Sequence, residues 1–456
     1  MNKLLLLGLV PLTTAAQNSN QAKINVVFIL ADDMGIGDVG CYGQRTIPTP
    51  NIDSLSAHGM QFMQHYSGST VSAPSRAALL TGKHTGHAAI RCNFVGLREK
   101  DGSIKDYPLP KEELTVAEIF KTRGYSTAVV GKWGLGSTTD QGSPLKQGFD
   151  YFYGYQTHID AHRAYPACLW ENDTRVELGG KTYADELIVQ KGLDFIDRNS
   201  TKPFFLYIAT TLPHADLLVP EQEIKPWLGK FTEKPYTGGY AAQPTPRAAY
   251  GAMITRVDNT VGRVVKQLKA LGIYEKTLII FTSDNGTHSE GGHDPSYFGS
   301  NSLYRGTKRD LYEGGIRTPM VACCPNLIGA GSVSYHVGAY WDFLPTICEL
   351  TGADTPLNTD GISYLPTLKG EGRQKEHQYL YWEFHEQGGK QAVLEGGQWK
   401  LIRLGVYKAP HYELYNLARD PKELRSVAVE FPQKAAQLSH VMDSMRTENK
   451  VWYFQQ

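Results

Sequence analysis

The chain is expected to be an α/β protein: a large central sheet of mostly parallel strands flanked by helices, then a smaller C-terminal antiparallel sheet with a closing helix. Three observations predict this. Four short apolar runs, at 24–30, 126–130, 204–209 and 278–282, are each followed by polar or glycine-rich residues. Continuous runs rich in Val, Ile and Phe fit strands buried on both faces. Segments of helical spacing lie between the runs, and such alternation favours a parallel sheet. From about Asp360 the texture changes to short, aromatic-rich runs separated by turns.

In chain order, Met1-Asn2-Lys3 precedes the apolar residues 4–10 and then Thr14-Ala15-Ala16. A basic start, an apolar core and small residues describe a signal peptide over 1–16. No cysteine follows the apolar core, so lipid anchoring by that route is not indicated. No later stretch approaches the ~20 apolar residues of a membrane span. The expected location is therefore periplasmic or secreted. The run 24–30 ends at Asp32-Asp33, and helices are predicted over 114–122, stopped at Arg123-Gly124, and over 184–198. The longest helix, 249–271, sets Met253, Val257, Val261 and Val264-Val265 on one face and meets Gly272 as its stop. A strand over 334–340 leads into a helix over 341–350. Further strands are expected at 379–384, 391–394, 399–404 and 412–414, then a helix over 433–446. The expected division is an N-terminal domain at 22–359 and a C-terminal subdomain at 360–456.

The 46 basic residues balance 46 acidic ones. Zero formal net charge argues against nucleic acid or an anionic membrane as the main partner, since both favour a basic excess. Affinity for an anionic ligand must then come from a local cluster. Cys41, Cys92, Cys168, Cys323, Cys324 and Cys348 are too few and scattered for a disulfide scaffold, and none has zinc-like spacing. Cys323-Cys324 read as packing residues at a strand end.

In open α/β sheets, ligands sit beyond the carboxyl ends of the strands. There the apolar runs place Asp32-Asp33, Gly131-Lys132, His214 and Asp284-Asn285. Adjacent carboxylates repel unless a cation offsets them; alone, Asp32-Asp33 is equally a turn cap. Asp284-Asn285 repeats the pattern, and the doubled set of hard oxygen donors favours Ca²⁺ or Mg²⁺ over zinc. In the run 72–82, Pro74 suits a first helical turn and Ala77 to Leu80 continue it. A helix start offers free N–H groups to an oxyanion. The same run also describes a capped helix with a surface arginine, and spacing does not separate the two.

The run Ser72-Ala73-Pro74-Ser75-Arg76, with Leu80 and Thr81-Gly82 closing it, resembles the signature of formylglycine-dependent (type I) sulfatases of the alkaline phosphatase superfamily. Five further stretches match in order: 25–35, Gly131-Lys132-Trp133, Leu212-Pro213-His214, Ser283-Asp284-Asn285-Gly286, and 306–319 around Lys308. The resemblance implies an alkaline-phosphatase-like fold and oxidation of Ser72 to formylglycine. The hydrate of that aldehyde attacks the ester sulfur, and its second hydroxyl drives sulfate release. Asp32, Asp33, Ser72, Asp284 and Asn285 would ligate a metal, Ca²⁺ rather than Mg²⁺. Arg76 would hold the diol, Lys132 and Lys308 would neutralise the sulfate oxygens, and His214 would protonate the leaving oxygen. A serine-type site implies an anaerobic sulfatase-maturating enzyme as partner, hence an anaerobic or facultative bacterial host. One departure stands out: many such sulfatases carry a histidine where this chain has Gly134.

For the substrate, Tyr151 to Tyr155 with His158, Asp160, His162 and Arg163 read as an aromatic and polar loop. His288, Glu290, His293 and Asp294 follow the second metal cluster, and Trp382, Glu383, His385 and Gln391 lie in the C-terminal part. Any one group is equally ordinary packing. Together they suit a sugar ring and favour a carbohydrate sulfate over a flat aryl sulfate. The chain looks like gut-bacterial sulfatases acting on galactose or N-acetylgalactosamine sulfate, with the 4-O ester as first expectation. Two alternatives are a phosphodiester or phosphonate ester hydrolase of the same superfamily and a non-catalytic sulfated-glycan binding protein.

Overall fold

Residues 23–93 and 107–454 are described by the structure, a computed structural model. The expected signal peptide lies outside the described residues. Among them, no helix is long and apolar enough to cross a membrane.

A ten-stranded sheet runs, from one edge, through Ser332–Ser334, Met60–Phe62, Met320–Cys323, Thr277–Ser283, Asn25–Ala31, Phe204–Ala209, Ser126–Lys132, Tyr151–Tyr155, Cys168–Glu171 and Thr174–Glu177. The five strands from Thr277–Ser283 to Tyr151–Tyr155 are mutually parallel. Four of these are the apolar runs of the sequence. Their alternate residues feed two cores, Val27 and Ile29 on one face, Val26, Phe28 and Leu30 on the other. Helices Ala184–Asn199 and Pro246–Ala270 cover the first face; Ser72–Thr81, Val116–Thr122 and Phe343–Thr351 cover the second.

Two expectations need correction. Tyr151–Tyr155, read as part of a loop, is a largely buried strand paired with the Ser126–Lys132 strand; packing on a pleated surface favours its aromatic residues. The strand expected over 334–340 is broken into Ser332–Ser334 and Gly338–Ala339. Between them the Ser334 hydroxyl accepts the His336 N–H at 3.2 Å, a local turn that competes with the ladder. The helix expected from 114 starts at Val116 because Thr115 and Glu118 form a capping box. The longest helix starts at Pro246, and Gly272 follows it at φ 66°.

Tyr379–Phe384, Lys390–Glu395, Trp399–Leu404 and His411–Asn416 form a separate antiparallel sheet. One face, with Leu380, Trp382 and Phe384, packs on Tyr66, Val71, Ala78 and Trp341. The other meets Leu438 and Met442 of helix Pro432–Ser444. This small sheet thus backs the helix that begins at Ser72.

Candidate active site

Parallel register sets the strand ends level. Ala31 lies opposite Ser283, Leu30 opposite Ala209, and Gly131 opposite Ala209. Gly131 is required there: at φ 109°, a Cβ would stand 1.9 Å from the Ala209 carbonyl oxygen. The segments carrying Asp32-Asp33, Lys132, His214 and Asp284-Asn285 therefore leave the sheet side by side.

Asp32, Asp33 and Asp284 are fully buried, and their carboxylate oxygens lie within 4.8 Å of one another. Asp33 sits at φ 65°, left-handed backbone disfavoured for a non-glycine residue. Its N–H donates to Asp284 Oδ1 at 3.0 Å, which holds it there. The negative charge is met on one side by Arg76, whose Nε and Nη2 donate to Asp284 Oδ2 at 3.1 and 2.8 Å. Lys132 Nζ donates to Asp32 Oδ2 at 2.6 Å and Lys308 Nζ to Asp33 Oδ2 at 2.8 Å. Burial alone would raise the Asp32 carboxyl, but Lys132 and Arg76 outweigh it and hold the group below its ordinary value. The Asn285 amide donates to Asp33 Oδ1 at 2.6 Å, while its buried Oδ1 accepts no hydrogen bond among the described residues. A buried acceptor left open costs free energy. Beside three carboxylates it completes an all-oxygen donor set, which fits a hard divalent cation.

Ser72 is the first residue of helix Ser72–Thr81. Its hydroxyl donates to Asp32 Oδ1 at 3.0 Å and accepts from Lys132 Nζ at 2.9 Å. Ser75 does not face the cleft; its hydroxyl donates to the Asp284 carbonyl at 2.5 Å and accepts the Gly68 N–H at 3.1 Å. Arg76 also reaches the Lys132 carbonyl at 3.0 Å, so one guanidinium ties the Lys132 strand end to Asp284.

His214 stands 2.5 Å through Nδ1 from the Ala215 carbonyl. A carbonyl only accepts, so Nδ1 carries hydrogen and Nε2 is the working nitrogen. Nε2 lies 2.8 Å from Lys308 Nζ, 3.3 Å from Asp33 and 3.4 Å from Glu290. Burial, then Lys308 and Lys132, press the imidazole well below its ordinary value, so it is neutral here. Glu290 takes Lys308 at 3.0 Å, Arg309 at 2.7 Å and the Tyr240 hydroxyl at 3.2 Å. Burial would raise its carboxyl, but these cations hold it far below the carboxylate range. The sequence pointed to Glu290 only as one of several polar residues after Asn285. Tyr240 carried no signal, because it meets this site across 50 residues of chain.

The expected substrate contacts divide. His162 lies at the site, its ring stacked on His214 at 4.4 Å and 10°. His158 packs beside Gly134, where an added Cβ would stand 3.7 Å from the His158 Cβ. Asp160 caps its own turn by accepting the Thr157 hydroxyl at 2.8 Å, and Arg163 is exposed. Trp382 is corrected, and His293 and His385 are engaged by other side chains. Trp382 is fully buried, donating Nε1 to the Ser67 carbonyl at 2.9 Å, so its ring offers no face to a sugar. His293 is buried against Tyr250, ring centroids 3.6 Å apart. His385 is held by Glu383 and Tyr407 and stacked on Phe454 at 4.3 Å.

Comparison with known proteins agrees with this geometry. A family model described as sulfatase matches residues 24–353, and one described as N-sulphoglucosamine sulphohydrolase, C-terminal, matches 303–450. The chain is 33% identical over 412 residues to the N-acetylgalactosamine-6-sulfatase of Canis lupus familiaris, spanning 84% of this chain and 71% of that protein. It is 29% identical to the steryl-sulfatase of Mus musculus, spanning 78% and 67%. A solved structure described as Ps i-CgsB in complex with k-i-k-neocarrahexaose has a TM-score of 0.79 at 27% identity and covers 95% of each chain.

Proposed function

This chain belongs to the sulfatase family and is a sulfuric ester hydrolase, and we propose that its substrate is a sulfate ester on galactose or N-acetylgalactosamine. The observation that carries the reading is the Ser72 hydroxyl, buried at a helix start between Asp32 and Lys132. Oxidised to formylglycine and hydrated, residue 72 would supply a nucleophilic oxygen and a second hydroxyl for sulfate release. Asp32, Asp33, Asp284, Asn285 and residue 72 would hold Ca²⁺, which supplies Lewis-acid charge beside that oxygen.

The remaining work falls to this chain's side chains. Arg76, fixed by Asp284 and the Lys132 carbonyl, orients residue 72. Lys132 and Lys308 donate to the sulfate oxygens; already desolvated and held, they need little reorganisation as charge develops. His214, with the hydrogen on Nδ1 committed to a carbonyl, would first take a proton on Nε2 from the Lys308 ammonium 2.8 Å away and pass it to the leaving oxygen. Maturation by an anaerobic radical enzyme and export to the periplasm or beyond belong to the same proposal. So does the division into a catalytic domain at 22–359 and a C-terminal subdomain at 360–456.

For the ester position, the relatives at 32–34% identity named N-acetylgalactosamine-6-sulfatase support a 6-O ester ahead of the 4-O ester expected from sequence. Matured enzyme should be assayed on matched 4- and 6-sulfated galactose, N-acetylgalactosamine and glucosamine. Turnover confined to the galacto-configured 6-sulfates is expected. Preference for the glucosamine ester would sink the sugar assignment, and preference for 4-sulfates the position.

A further inference from the structure

His288 is fully buried, and both of its ring nitrogens are used. Nδ1 accepts the backbone N–H of Glu290 at 3.0 Å, and Nε2 lies 3.0 Å from the Pro213 carbonyl oxygen. An N–H donor on one side and a carbonyl acceptor on the other settle the tautomer: the hydrogen is on Nε2. The ring also lies near-parallel to His214, 5.6 Å away at 20°. His288 therefore joins the residue preceding His214 to the backbone of Glu290. The Glu290 carboxylate in turn stands 3.4 Å from His214 Nε2 and 3.0 Å from Lys308.

We infer that His288 is a positioning residue for proton delivery: one imidazole ties the His214 loop to Glu290 and so fixes Nε2 of His214 against the Lys308–Glu290 pair. The inference rests on the reading of His214 as the general acid. It assigns His288 no contact with substrate. Without the two ties, the Pro213–His214 loop and Glu290 lose their common anchor, and the proton donor loses its aim. Misplacing a catalytic group by about 1 Å can cost on the order of 10²-fold in rate.

The test compares two substrates in the matured holoenzyme. A sugar sulfate has a poor leaving alcohol that needs the proton; 4-nitrophenyl sulfate has a leaving group that does not. The ratio of their kcat values is independent of how much enzyme is folded or matured, so a poorly folding variant still reports. His288→Ala is expected to lower the sugar-to-aryl ratio about 30- to 100-fold, up to the lower end of the roughly 10²–10⁴-fold that general-acid catalysis contributes. His288→Gln, whose amide can still donate to Pro213, should recover at least about tenfold of it. An unchanged ratio in His288→Ala would overturn the inference, as would equal ratios for the Ala and Gln variants. His214→Ala is the reference. If its own ratio does not fall, the general-acid reading fails; if it falls and that of His288→Ala does not, only the inference fails.

Discussion

Lys400→Met probes the joint between the small sheet and the segment that carries Lys308. The Lys400 ammonium is fully buried, 2.9 Å from Glu313 and 3.0 Å from Glu423. Methionine keeps most of the stem and removes the charge. Glu313 would retain Arg317 at 3.1 Å and the Tyr66 hydroxyl at 2.9 Å. The Glu423 carboxylate would keep only the Glu313 N–H among the described residues. Breaking a buried ion pair from one side costs about 3–5 kcal/mol. The loss should depend on pH. In the intact protein burial pushes the Glu423 carboxyl up, Lys400 opposes it and Glu313 adds to it, leaving it at about 7. A carboxyl raised in the folded state favours folding at low pH, and that contribution is lost as pH rises through the folded value. Removing Lys400 raises it further, so the variant's deficit should be largest near pH 8 and shrink toward pH 5.5. Urea unfolding followed by tryptophan fluorescence at both pH values measures this. A deficit equal at the two pH values, or none at pH 8, would refute the reasoning. Because Glu313 lies five residues past Lys308, the variant should also lose kcat.

Three further outcomes are expected. Ca²⁺ at about 100 times its Kd should stabilise the fold by about 2.7 kcal/mol, read by thermal melting before and after chelation; Mg²⁺ should do less, and no shift with either ion would remove the metal assignment. Lys308→Ala should cut kcat by about 10²–10³, because a donor to the developing sulfate charge is lost along with the cation that Asp33 and Glu290 share; a change in KM alone would contradict its role. Trp382→Phe should cost about 1–3 kcal/mol by orphaning the Ser67 carbonyl while leaving KM for the sugar sulfate unchanged, and a raised KM would restore Trp382 to the substrate site.

The central strands were legible because burial on both faces leaves an unbroken apolar run, as in 204–209. The residues past those runs were legible for the same reason, since a parallel sheet must deliver Asp32, Lys132, His214 and Asp284 to one edge. Short strands such as Met60–Phe62, set between Ser332–Ser334 and Met320–Cys323, gave no such signal, because their burial comes from neighbours distant in sequence. Trp382 was misplaced because an aromatic cluster does not say which face each residue takes. Strand Tyr379–Phe384 sends Leu380, Trp382 and Phe384 inward together, as period two requires. Glu290 and Tyr240 meet only in three dimensions, and a pairing across 50 residues leaves no local pattern.

The central claim is that Ser72 acts as a precursor rather than as a serine. The most direct test is the mass of the peptide carrying Ser72, measured alongside kcat in protein made with and without a radical maturation enzyme. Turnover should rise in proportion to the fraction of peptide two hydrogens lighter, and Ser72→Ala should have neither. Full turnover from protein whose Ser72 is wholly unmodified would contradict the account.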